Sequence, residues 1–112
     1  MGLRNLPTDA ARPLASLIDA AEPGRVSSCS LTRLSNPCAI TLLSFAAGES
    51  VSDEVYPTDT MYYLLEGAAR ITFADDGRAA VPLAAGEVLM VPAGVQHAVE
   101  PAGAVKLFQL ML

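Results

Sequence analysis

The sequence predicts an all-β sandwich or barrel preceded by a short N-terminal helix. From residue 25 onward the chain breaks into eight or more short β-type runs bounded by Gly, Pro, Asn and Asp. No run beyond that point holds a helical period for three turns, and neither a linker nor an internal repeat divides the series. At 112 residues the chain is long enough for one independent core. Residues 1–24 are read as an extension carrying the helix, and 25–112 as the barrel.

The helix is expected over residues 9–20, where Leu14, Leu17 and Ile18 share one face. Thr8 or Asp9 would cap it, Pro13 would fall in its first turns, and Pro23-Gly24 would close it. Strands are expected next at 26–34, ended by Ser35-Asn36-Pro37, and at 39–45, which is apolar on both faces. After the turn Ala47-Gly48-Glu49, Glu54 and Tyr56 fall two apart on a strand and point to one side. Residues 61–65 and 69–73 flank Glu66-Gly67, read as a tight reversal, and Asp75-Asp76-Gly77 signals a second hairpin. Further strands are expected at 79–83, 88–91, 96–100 and 105–112, separated by Ala85-Gly86-Glu87 and Pro92-Ala93-Gly94 among other turns.

Composition narrows the function classes. Hydrophobic residues make up 52% of the chain and charged ones 17%, so apolar surface exceeds what polar groups can cover and a self-associating face, in a homodimer, is expected. Seven Lys and Arg against twelve Asp and Glu leave a net charge of −5, the wrong sign for a nucleic-acid partner. No stretch approaches the roughly 20 apolar residues of a membrane span. There is no signal-like apolar run, and Leu6 breaks the myristoylation pattern, so the expectation is a cytoplasmic protein with no membrane partner. Cys29 and Cys38 belong to no CxxC or Cys/His cluster and are read as small core or rim residues of a reducing compartment. G-x-S-x-G, phosphate-loop and dinucleotide fingerprints are all missing, which weakens hydrolase, kinase and dehydrogenase readings. A glycosidase-type carboxylate pair is not evident either, since Asp53 would face away from Glu54.

The turn residues carry a more specific signal. Gly48 and Gly67 are spaced as the ends of the first motif of the cupin family, which runs Gly, five residues, His-x-His, three or four residues, Glu, six residues, Gly. Gly86, Pro92, Gly94 and His97 match the second motif, with Pro101 where the family carries Asn. On these six fixed points the stretch 41–112 resembles a cupin. The resemblance implies a small jelly-roll (cupin) barrel, usually dimeric, and a divalent metal inside it held by three His and one Glu. At those four ligand positions this chain has Glu54, Tyr56, Thr60 and His97, so only the last is retained.

Losing two imidazoles and the family's carboxylate should weaken a transition-metal site by orders of magnitude. No cofactor is therefore expected; an Fe, Mn, Ni or Zn ion would need His97, Glu54 and Asp59. Asp59 lies one residue before the family's Glu position, out of phase with Thr60 and Tyr62. A lone His in an apolar chain is commonly a hydrogen-bonded wall residue, but the motif places His97 at the mouth of the barrel cavity. Glu54, Tyr56, Thr60, Tyr62 and His97 are accordingly the candidate ligand-binding residues, and Met90 and Met111 are core filler. Glu54 and His97 could equally satisfy each other in an internal network.

Three readings follow. In the first, a barrel lacking most metal ligands binds a small molecule without metal. In the second, an oxygenase or isomerase, metal-dependent or metal-free, uses His97 and Glu54 as its catalytic candidates. In the third, a structural or regulatory dimeric module fills its barrel with side chains.

Overall fold

The computed structural model describes residues 2–33, 37–74 and 77–112. Nine strands follow in chain order: β1 (Val26–Ser30), β2 (Ala39–Phe45), β3 (Val51–Glu54), β4 (Thr60–Glu66), β5 (Ala68–Thr72), β6 (Val81–Ala84), β7 (Val88–Val91), β8 (His97–Pro101) and β9 (Val105–Met111). They form two antiparallel sheets, a five-stranded one in the order β1-β2-β9-β4-β7 and a four-stranded one in the order β3-β8-β5-β6. The sheets face each other across the core in a jelly-roll arrangement, which confirms the all-β expectation.

Alternation decides what enters the core. In β4, Thr60, Tyr62 and Leu64 are buried between less buried neighbours. In β9, Val105, Leu107 and Gln109 do the same. Phe45, Tyr62, Leu64, Ile71, Val91 and Leu107 are central to the cluster between the sheets. A second cluster lies on the outer face of the larger sheet, where Leu6, Leu14, Leu17 and Ile18 pack over Leu31, Ile40, Leu42 and Phe108. The N-terminal segment covers only part of that face. Tyr63 and Val88, paired in register on β4 and β7, remain exposed, and so does Met90, which is therefore not the core filler expected of it.

Two expectations are corrected. The helix over 9–20 is only a 3-10 turn at Leu14–Leu17. Pro13 takes an extended conformation (ψ 136°) instead of lying inside a helix, and Ile18 is extended again (φ −134°, ψ 135°). An extended path lets the four apolar side chains reach the sheet. Lys106 Nζ, on β9, donates to Ala15 O at 2.9 Å and ties the segment down. Packing has overridden a weak local period.

The reversal at Glu66-Gly67 is not a hairpin. β4 pairs with β7 and β9, while β5 pairs with β6 and β8, so Gly67 turns the chain from one sheet into the other. β5 and β6 do pair as a hairpin, but Asp75 and Asp76 of its turn signal lie outside the described residues, as do Leu34, Ser35 and Asn36. β1 ends at Ser30, short of the expected 34, and the strand expected at 79–83 runs from Val81 to Ala84.

Candidate functional site

His97 opens β8 and lies directly opposite Glu54, the last residue of β3. Direct partners in an antiparallel pair project to the same face, so the carboxylate and the imidazole both enter the barrel. Tyr56 lies beyond the end of β3, and strand period alone no longer aims it. The turn at Pro92-Ala93-Gly94 does so: Gly94 N–H donates to Tyr56 O at 2.9 Å, and Ala93 N–H donates to Asp59 Oδ1 at 2.9 Å. Gly94 has φ 79°, a left-handed conformation open to glycine at little cost. The second motif's loop is thus what holds the first motif's Tyr56 in place.

The His97 ring is 1% exposed and both its nitrogens are engaged. Nδ1 is 2.9 Å from Val95 O, an acceptor only, so Nδ1 carries a proton. Nε2 is 2.7 Å from Tyr62 Oη. The hydroxyl has no other acceptor among the described residues, and the neutral ring accepting from Tyr62 is the arrangement that places every proton. Tyr56 and Tyr62 stand edge-on to the imidazole, with centroids 5.8 and 5.6 Å away. Burial, with smaller contributions from neighbouring Tyr56 and Glu54, pushes the Tyr62 phenol well above its ordinary range. Burial likewise raises Tyr56, against a hydrogen bond from Gln109 that lowers it and the Glu54 charge that raises it. Both phenols are therefore hydrogen-bond donors at neutral pH.

These groups surround a cavity of about 140 Å³ lined by Leu43, Glu54, Tyr56, Tyr62, His97, Ala98, Val99 and Gln109. Glu54 is half-buried on its rim, and its carboxylate has neither a hydrogen-bond donor nor a cation among the described residues. Four of the five candidates, Glu54, Tyr56, Tyr62 and His97, are brought together here. An internal Glu54–His97 bond does not form, because both ring nitrogens are taken by other partners.

Thr60 does not line the cavity. It is 1% exposed, and its Oγ1 is the one buried side-chain polar atom without a partner among the described residues. Thr60→Val, which keeps the branched shape and removes that hydroxyl, is expected to stabilise the fold by about 1 kcal/mol. A rise in the urea midpoint checks this; a fall would mean that the hydroxyl is satisfied.

Gln109 was not anticipated. Its signal was present, because alternation along 105–111 puts it on the buried face with Val105 and Leu107, and a buried amide requires partners. The candidates read from the sequence come from the two motifs and from β4, and Gln109 lies on β9, outside both.

The donor set does not fit the metal that the motif implies. Nε2, the nitrogen free to bind an ion, already accepts from Tyr62, both phenols are held protonated, and the Thr60 hydroxyl is buried elsewhere. Asp59 is exposed and spends its carboxylate on the Ala93 N–H, so the alternative trio of His97, Glu54 and Asp59 does not assemble. Among the described residues no three His, Cys, Asp or Glu side chains converge.

Comparison with known proteins agrees with this architecture. The sequence matches the family model described as Cupin domain over residues 41–111. A solved cupin superfamily protein from Desulfitobacterium hafniense is 46% identical, with a TM-score of 0.91 over 100% of this chain and 98% of that one. A conserved protein of unknown function from Streptococcus pyogenes, 22% identical, superposes with a TM-score of 0.87 over 100% of this chain and 94% of its own. A Thermus thermophilus protein, also 22% identical, reaches 0.75 over 90% and 94%; at that identity the last two show the fold alone. None of the curated proteins matches this chain.

Proposed function

The chain belongs to the cupin domain family, and on that premise we propose that its barrel binds a small organic molecule without a metal ion. The observation that carries this reading is the cavity of about 140 Å³, apolar at Leu43, Ala98 and Val99 and polar at Glu54, Tyr56 and Gln109. A dry cavity of roughly 150 Å³ accepts a benzene-sized molecule. The ligand is thus a small one, well below the volume of drug-sized sites, roughly 300 Å³ and up. The open space speaks against a barrel filled by its own side chains. The imidazole, directed at Tyr62 and not at Glu54, offers no acid–base pair with that carboxylate, so we assign no reaction.

Two measurements test the reading. Elemental analysis of purified protein, dialysed against iron, manganese, nickel and zinc in turn, should find far less than one ion per chain. Near-stoichiometric metal that disappears in His97→Ala would overturn the metal-free reading. Titration with phenol, followed by heteronuclear NMR, should shift Ala98 and Val99. Saturable shifts that avoid the cavity would remove the binding site.

A further inference from the structure

We propose that the cavity's occupant is a small organic cation of the alkylammonium type, held between the Glu54 carboxylate and the Tyr56 and Tyr62 rings. The inference rests on the cavity reading and adds the charge of the ligand.

The argument is an inventory of charge. Among the described residues, Glu54 is the only side chain lining the cavity that is charged in the arrangement described above, since His97 is neutral and both phenols are protonated. None of the chain's seven Lys and Arg residues lines it. Two of them are committed elsewhere, Arg70 to Glu100 and Lys106 to Glu66 and Ala15 O. An anionic ligand would meet a carboxylate with nothing to offset the repulsion. A neutral one would take water away from Glu54 and return no counter-charge. A cation supplies what the carboxylate lacks.

The walls fit the same ligand. Tyrosine faces attract ammonium groups through the ring quadrupole, and cages of aromatic rings recognise quaternary ammonium ligands. Two tyrosine rings and one carboxylate border this cavity. Its volume admits a compact tetrahedral or single-ring cation but not a polyamine or a nucleotide. The net charge of −5 favours the approach of cations over anions.

Three tetrahedral probes of closely similar size separate the alternatives by charge: tetramethylammonium, tert-butanol and methanesulfonate, each titrated into the full chain and followed at the Ala98 and Val99 amides. Tetramethylammonium should bind at least about ten-fold more tightly than tert-butanol, and methanesulfonate should leave the cavity amides unmoved. Glu54→Gln should abolish the preference, weakening the cation and, by relieving the dehydration of the carboxylate, tightening tert-butanol until the two bind alike. Tyr56→Leu, a second and independent variant, should weaken the cation several-fold more than it weakens the alcohol. If the alcohol or the sulfonate binds as tightly as the cation, or if the preference survives Glu54→Gln, the cation assignment is wrong and the phenol result still stands for the pocket. If none of the three probes nor phenol moves the cavity amides, the binding reading falls with it.

Discussion

Gly67→Ala is expected to destabilise the fold by about 3 kcal/mol or more, a large share of the roughly 5–15 kcal/mol that holds a domain of this kind together. Two effects add. Gly67 has φ 89°, which costs an L-residue about 1–2 kcal/mol. A Cβ there would also lie 2.5 Å from Ala104 O, 2.8 Å from Val105 Cγ1 and 3.3 Å from Val105 Cα. Two of those atoms are backbone at the start of β9, a strand paired on both sides within the larger sheet, so no rotamer change can relieve the clash. Gly48→Ala is the control, because Gly48 has φ 84° but nothing within 4 Å of its added Cβ. It should carry only the conformational cost. Urea unfolding of the two variants separates the terms, and equal losses would show that the corner between β4 and β5 is looser than described.

The Tyr62–His97 pair should behave as a unit. Tyr62→Phe leaves Nε2 of a 1% exposed ring without a donor and is expected to cost about 1–3 kcal/mol. His97→Leu strands the Tyr62 hydroxyl at similar cost, and His97→Ala should cost about 3 kcal/mol because it also opens a void. The double variant Tyr62→Phe/His97→Leu removes both polar partners together and should lose at least about 1 kcal/mol less than the sum of its singles. Additive losses in a denaturation cycle would mean that the 2.7 Å contact contributes nothing specific. Neither change touches the Glu54 carboxylate, so a folded Tyr62→Phe protein should still prefer cationic probes.

Much of this site was legible in residue spacing, though not always for the reason that held. Thr60 and Tyr62 do share the inner face of β4 while Met61 is less buried, as period-two alternation requires. Glu54 and Tyr56 both line the cavity, but the strand expected to aim them ends at Glu54. Tyr56 is held instead by Gly94, thirty-eight positions further on, through a bond between backbone atoms that alternation along one strand does not describe. Gln109 satisfied the alternation rule and was passed over. The N-terminal helix failed because apolar spacing of three and four residues can be met by an extended segment when a sheet face is there to receive it.

Taken alone, the sequence determined the family, the all-β class, the shared face of Thr60 and Tyr62 on β4 and the substitutions at the family's metal-ligand positions. Each of these depends on residue identity at fixed spacing, which the backbone's period of two translates directly into position. The tertiary structure alone decided that Gly67 separates two sheets, that Asp59 caps a turn, and that His97 bonds to Tyr62 on the opposite sheet in place of Glu54 across the strand pair. Once Val95 O takes Nδ1, the far side of the ring carries Nε2 toward β4, and which residue waits there depends on how the two sheets are stacked.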